Sequence, residues 1–413
     1  MQIKPYKHYK TPVMYKVMNI QKNPYRPGVG LQPPVLAGRE PELRRFKRIL
    51  RSSPEIPGNV RLSGLRGVGK TVLLSRLADL ASEENWSVIQ LEVQPSMNNE
   101  LSLTNELDRN VTTLIKNLST VAKVRARAGE LVEVVRRSAR VSYEGFEWSI
   151  AGDIAAESKA IGNLLAKAVE ASEKQGRLGL VLLLDEAQVL TDDTKPDGAH
   201  ALSSLVAAVS TLQKAGVALS LVLCGLPTLA VNLMKARTYT ERMFQGIEVG
   251  SLDTAAARRA FVEPIEGSHL TIEENLIDQV LDQVDGYPYF IQLWGAELWD
   301  ATMEAGLPEI SAATLDTISG RIYERLDVDF YEPRVASLRP AEQDVLIDSA
   351  QCSYPPIMVA DINAQSPKSP GNINVLLGRL VEANVLFRVR KGQYKYTAPG
   401  FRDYLLRRSV ANQ

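Results

Sequence analysis

Disulfide chemistry is the first thing this 413-residue chain lacks. Its two cysteines, Cys224 and Cys352, lie far apart and have no metal-ligand spacing. That excludes a disulfide-built scaffold and fits a reducing compartment. Histidines number only three, His8, His200 and His269, which argues against a histidine-rich metal centre. No apolar run reaches the length of a membrane span, and the opening MQIKPYKHYK has no apolar h-region. The expectation is a cytoplasmic protein with no membrane contact. Net charge is also missing, since 48 basic residues offset 48 acidic ones. The distribution is uneven, however. Residues 1–51 carry twelve Lys or Arg against Glu40 and Glu42, and Arg388 to Gln413 carry seven against Asp403. This asymmetry points to a polyanion facing the ends of the chain. The length allows two or three domains with a sizeable core.

What is present is organised around Asn59 to Leu74, NVRLSGLRGVGKTVLL. Gly64, Gly69, Lys70 and Thr71 fit G-x-x-x-x-G-K-[ST]. Glycines let the backbone curl so that N–H groups point at phosphate oxygens, and the following helix adds its positive end. Lys70 would reach the outer phosphates and the Thr71 hydroxyl would ligate Mg²⁺. Gly67 and Val72 complete the nucleotide-binding set. Val60 to Leu62 reads as a strand before the loop and Thr71 to Ser82 as an amphipathic helix after it, the order the motif requires.

Along the chain, residues 1–36 read as a basic irregular arm, and Pro41 to Arg51 as a helix. Trp86 to Val93, Leu178 to Leu184 and Ala218 to Cys224 read as buried strands, with Ile247 to Val249 as a last short one. Leu101–Leu118, Val121–Arg140, Ile154–Lys174 and His200–Lys214 read as helices, and Val141–Ile150 as a small hairpin. Strands alternating with helices imply a parallel sheet covered on both faces. The pattern predicts an α/β P-loop NTPase core at 37–251, an all-helical lid at 252–326 and a winged-helix domain at 327–413. In the last unit, Ala341–Ala350, Ile357–Ala364 and Asn372–Ala383 read as helices. Val385–Val389 and Gln393–Thr397 read as a two-stranded wing, and Phe401–Arg408 as a closing helix.

The apolar run at 178–184 ends in Asp185-Glu186, an acidic pair at the edge of a sheet where ligands bind. The first carboxylate suits Mg²⁺, and the second suits polarisation of an attacking water. Gly64–Thr71 with Asp185-Glu186 resembles the Walker A and B elements of AAA+ ATPases. Gly38-Arg39-Glu40 and Gly225-Leu226-Pro227 narrow the resemblance to the branch of origin-recognition ATPases and STAND-type signalling ATPases. The resemblance implies ATP and Mg²⁺ as cofactors. It places Ala37 and Gly38 near the adenine, Glu186 as the water-activating residue, and Arg242 as an arginine finger serving the neighbouring subunit, with Arg237 as a competitor. It also implies a homo-oligomer. Two positions depart from the family pattern. Cys224 stands where a polar Asn, Ser or Thr is usual, and Tyr289, in Gly286-Tyr287-Pro288-Tyr289, stands where the lid arginine is usual.

The winged-helix pattern offers Asn372, Asn374 and Arg379 on its third helix. Its wing offers Arg388, Arg390, Lys391 and Lys395 beside Tyr394 and Tyr396. Such basic and aromatic residues suit duplex DNA. The leading expectation is an ATP-controlled DNA-binding or assembly factor, in the manner of replication initiation, transposon target selection or enzyme loading. The alternative is a STAND-like signalling or phage-defence ATPase whose assembly controls a protein effector. A P-loop kinase fits poorly, because there is no acceptor-site signature.

Overall fold

A computed structural model describes residues 22–28, 30–127, 156–193 and 198–411. The first 21 residues of the arm, the second half of the helix expected at 121–140, and the hairpin expected at Val141–Ile150 lie outside the described residues.

The core opens with α1 (Glu40–Ser52), β1 (Asn59–Ser63), α2 (Lys70–Glu83) and β2 (Ser87–Glu92). Helices α3 (Glu100–Arg127) and α4 (Ala156–Glu173) precede β3 (Leu180–Asp185). Then follow α5 (Ala201–Lys214), β4 (Leu219–Gly225), α6 (Thr228–Ala236), α7 (Thr240–Met243) and β5 (Phe244–Glu248). The five strands form a parallel sheet in the order β2-β3-β4-β1-β5. Every residue of β3 and β4 is buried, as a central strand covered on both faces must be. The pleat divides them between two cores. Val181, Leu183, Val222 and Cys224 join the core that includes α1 and α2. Leu180, Leu182, Leu184, Leu219, Leu221 and Leu223 join the core that includes α3, α4 and α5. The α/β P-loop NTPase core is therefore the observed fold.

Where two helices were expected at Leu101–Leu118 and Val121–Arg140, α3 is one helix running from Glu100 through Arg127. Ser119 and Thr120 favour a break in isolation, but here their hydroxyls donate back to the carbonyls of Ile115 (2.8 Å) and Lys116 (2.9 Å), which satisfies them within an uninterrupted helix.

The helical segment that follows comprises α8 (Thr254–Val262), α9 (Glu274–Val284), α10 (Pro288–Glu304) and α11 (Ala312–Leu326). A two-residue parallel pair, β6 (Thr271–Ile272) with β7 (Glu309–Ile310), interrupts the expected all-helical character. No extended linker follows α11. Its backbone passes through a π-helical turn, Asp327–Tyr331, into α12 (Glu332–Ala336).

The C-terminal unit runs α13 (Pro340–Ala350), β8 (Ile357–Met358), α14 (Val359–Gln365), α15 (Pro370–Glu382), β9 (Leu386–Arg390), β10 (Gln393–Tyr396) and α16 (Phe401–Ala411). The expected helix at Ile357–Ala364 begins two residues late. Ile357 and Met358 are extended and pair with Tyr394 and Gln393, so the sheet has three antiparallel strands in the order β8-β10-β9. Among the described residues, no helix is long and apolar enough to cross a membrane.

Candidate functional site

A cavity of about 510 Å³ opens where β1, α2, the helical segment and the arm meet. Gly67, Gly69, Lys70, Thr71 and Val72 line it together with Glu186. The loop takes this shape for a local reason. Gly67 (φ 84°) and Gly69 (φ 86°) hold left-handed conformations that other residues adopt only at a cost. Gly69 is also the residue that starts α2, so the first N–H groups of that helix are aimed at the cavity. A Cβ on Gly69 would meet nothing within 4 Å, so it is the backbone conformation and not crowding that calls for glycine there.

Behind the loop, the oxygens of two side chains converge. The Thr71 hydroxyl donates to Asp185 Oδ2 at 2.7 Å, and Asp185 Oδ1 accepts the Glu186 N–H at 2.9 Å. Asp185 is itself 6% exposed and sits behind Thr71. The Lys70 ammonium donates to the Leu65 carbonyl at 2.9 Å. Burial lowers the pKa of Lys70, opposed by Cys224, Glu186 and Asp185 around it. Cys224, at the end of β4, faces Asp185. Burial pushes its thiol well above the usual range, with the Asp185 charge and hydrogen bond adding to the shift. The thiol therefore stays neutral, as a donor beside a carboxylate.

Glu186 adopts φ 51°, and its carboxylate accepts a 2.5 Å bond from Gln188 Nε2. The other end of that amide is fixed too. Gln188 Oε1 accepts the Leu226 N–H at 3.0 Å, and the Gln188 carbonyl accepts Asn232 Nδ2 at 3.0 Å. Gly225 makes the seat, because a Cβ there would overlap Gln188 Oε1. The sequence Gly225-Leu226 is thus explained as the cradle of a side chain that holds Glu186.

Gly38 and Gly64 do not line the cavity. A Cβ on Gly64 would overlap the Val249 carbonyl, and one on Gly38 (φ 71°) would meet Ala256 of α8 at 2.6 Å. Both positions let backbone pack closely behind the wall, while Ala37 does line it. Arg39, 6% exposed, donates to the carbonyls of Val68 (3.1 Å) and Gly250 (2.6 Å), pinning the loop from behind. Arg237 and Arg242 stand exposed outside the cavity. Arg388, Arg390, Lys391 and Lys395 are exposed on the β9–β10 hairpin, where Arg388 lies 5.9 Å over the Tyr394 ring and Arg390 bonds Gln393.

Three contributions to the site come from outside the sequence motifs. The first is a strap formed by residues 22–28 and 30–36. Asn23 donates to the Ala296 carbonyl and to Asp300, and the Tyr25 hydroxyl donates to the Phe261 carbonyl. The Arg26 N–H donates to Gln292, and Gln32 Nε2 donates to the Val72 carbonyl at 2.9 Å. Leu31, Pro33, Val35 and Leu36 form an apolar wall of the cavity. The second is Gln188. The third is Arg334, which reaches the cavity from α12.

A parallel sheet carrying a glycine loop after β1 and an Asp-Glu pair at the end of β3 defines a P-loop NTPase core. Residues 35–221 match the AAA ATPase domain family. Residues 328–405 match a domain of unknown function (DUF8462). The Walker-type ATPase paby2304 of Pyrococcus abyssi shares the fold at 18% identity, covering 90% of this chain and 96% of that one with a TM-score of 0.52. The Orc1 protein of Aeropyrum pernix, solved in complex with DNA, is 16% identical over 92% of this chain and 95% of that one, with a TM-score of 0.43. The RuvB Holliday junction branch migration motor of Thermotoga maritima is 13% identical over 88% and 95%, with a TM-score of 0.44. No curated protein matched the chain.

Proposed function

We propose that the chain is a Mg²⁺-dependent ATPase of AAA+ type that assembles with ATP at subunit boundaries and controls a DNA-bound assembly. The observation that carries this reading is the convergence of Gly67–Thr71 and Glu186 on one cavity that also has an apolar wall, with Asp185 bonded to Thr71 just behind it. The donor set fits a nucleoside triphosphate. A curled backbone and a helix N-terminus suit phosphates, and Leu31, Pro33 and Val35 suit the flat face of a base. Bound Mg²⁺ would shield phosphate charge, and Thr71 and Asp185 are the residues that would hold it. Lys70 supplies a positive charge at the phosphate end. Glu186, oriented by Gln188, takes up the proton of water at its carboxylate. Arg242 would serve a neighbouring subunit, a role its exposure outside its own cavity supports. The order α13-β8-α14-α15-β9-β10 supports a winged helix, whose hairpin cations suit phosphate contact. Cys224 and Cys352, both buried and free, support a reducing, cytoplasmic setting.

One feature favours the second reading, in which the C-terminal unit docks a protein effector. Arg379 of α15 lies 3.7 Å from Glu342, and Val375, Phe387 and Val389 are exposed nearby in sequence. ATP turnover with and without duplex DNA, for wild type, Lys70→Ala and Glu186→Gln, tests the assignment. Turnover surviving Lys70→Ala would sink it. DNA affinity should fall steeply with salt and weaken in Arg390→Glu/Lys391→Glu; salt-independent or absent binding selects the effector reading. Light scattering with ATP, ADP and no nucleotide tests assembly, and a monomer throughout removes the role of Arg242.

A further inference from the structure

The π-helical turn Asp327–Tyr331 points two consecutive aromatic residues in different directions. Phe330 faces the cavity, stacked on Tyr289 (5.6 Å, 12°) and edge-on to Phe290 (5.1 Å). Tyr331 is locked into the C-terminal unit. Its ring stacks on Tyr404 at 5.1 Å, and its hydroxyl donates to the Pro399 carbonyl at 2.5 Å. Helix turns of this kind recur at functional positions, because the extra residue per turn re-aims side chains.

Arg334 lies one turn beyond Phe330. Its guanidinium sits 3.7 Å over the Phe330 ring and donates to the Phe330 carbonyl. Among the described residues, it makes no ion pair with a carboxylate. Tyr287, Arg66, Tyr331 and Tyr289 bear on it most, Asp329 and Glu186 line the same cavity without pairing with it, and burial together with Arg66 lowers its pKa. A desolvated cation beside another cation is costly unless an anion joins them. The position within the cavity is defined. The Tyr287 hydroxyl donates to the Arg66 carbonyl, and its ring would lie 2.7 Å from a Cβ on Gly67. Tyr287 and Arg66, the neighbours of Arg334, thus put it beside the phosphate loop.

We propose that Arg334 binds the terminal phosphate of a nucleoside triphosphate and, through the π turn, reports its presence to Tyr331 and the C-terminal unit. This rests on the nucleotide reading above. The guanidinium exchanges its stack on Phe330 for a charge-assisted contact with the terminal phosphate. A diphosphate lacks that group and leaves Arg334 on the ring. Because Phe330 and Tyr331 are adjacent, a shift of the Arg334 turn moves the anchor of the C-terminal unit.

The test measures ATP and ADP affinity of the full chain in the Glu186→Gln background, by calorimetry with Mg²⁺ present. Arg334→Ala should weaken ATP roughly 10- to 100-fold, the loss of one hydrogen-bonded charge pair, and leave ADP within about threefold. Arg334→Lys should fall between, since an ammonium keeps the charge without the fork. Arg334→Gln serves if the alanine variant melts early without nucleotide. A dye pair spanning the core and the C-terminal unit should change transfer efficiency with ATP in the Glu186→Gln protein and not in the Arg334 variant at saturating ATP. Equal loss for ATP and ADP, or none, overturns the proposal. If the Glu186→Gln protein with native Arg334 binds neither nucleotide, the nucleotide reading itself falls; if it binds both and Arg334→Ala does not discriminate, only the role of Arg334 falls.

Discussion

The seat of Gln188 predicts a coupling between two residues 37 positions apart. Gly225→Ala would place a methyl where Gln188 Oε1 now lies. The amide must leave, which breaks its bonds to the Leu226 N–H (3.0 Å) and to the Glu186 carboxylate (2.5 Å). A hydrogen bond to a charged group contributes ~1.5–3 kcal/mol, and a buried donor left unpaired costs ~1–3 kcal/mol. Gln188 and Glu186 are half-buried, which favours the low end. The substitution should therefore cost about 2 kcal/mol, a fall of roughly 4–8 °C in Tm for a domain of this size. Gln188→Ala should cost a similar amount by deleting the same bonds. Once the amide is gone, the added methyl has little to displace, so the double variant should cost only about 0.5 kcal/mol more than Gln188→Ala. The coupling is then about 1.5 kcal/mol. Thermal melts of the four proteins give this number, and ATP turnover gives a second. Each single variant should lose about tenfold in kcat as Glu186 loses its orienting donor, with the double no slower. A double-variant Tm fall equal to the sum of the singles would refute the reasoning.

Other outcomes follow from packing and charge. Gly295→Ala puts a methyl into the Tyr25 ring, so the strap should be cut faster in limited proteolysis, and an unchanged digest would count against the anchoring seen here. Burial raises the pKa of Tyr25, Tyr287, Tyr331 and Tyr396, and pushes Tyr404 up to about 12 from the ordinary 10.0. These acids have higher folded than unfolded pKa values, so their stabilisation is complete below about pH 10 and is lost as pH rises through the folded values. Phenolate absorbance should appear late and together with unfolding, and Tm should fall from pH 10 upward. Hydrogen bonds from Arg51 and then Lys47 hold Glu84 at about 2, below the usual 4.5. A depressed carboxylate stabilises above its unfolded pKa and loses that contribution as pH falls toward 2, so Glu84→Gln should flatten the acid limb of the melting curve at low salt.

The phosphate loop, the Asp-Glu pair and the strand–helix alternation were legible in the sequence because each is a local signal. Glycine spacing, an acidic pair after an apolar run, and periodicity need no knowledge of distant residues. The Gln188 seat was hidden because its partner, Leu226, lies on another strand's end. Arg334 was hidden for a different reason. Helical periodicity places it on α12, but only the π turn brings it to the cavity. The strap carries no periodicity, and its anchors are single side chains set into gaps such as the one over Gly295. Strand β8 is two residues long, too short for alternation to register.

The strap has a kinetic consequence. It is fastened to α10 by Asn23 and Arg26 and to α2 by Gln32, so it joins both sides of the cavity across its apolar end. On the nucleotide reading, opening those fastenings would widen the way out of the cavity, so substitutions in the strap should act on the rate of nucleotide exchange more than on the contacts of the phosphate loop.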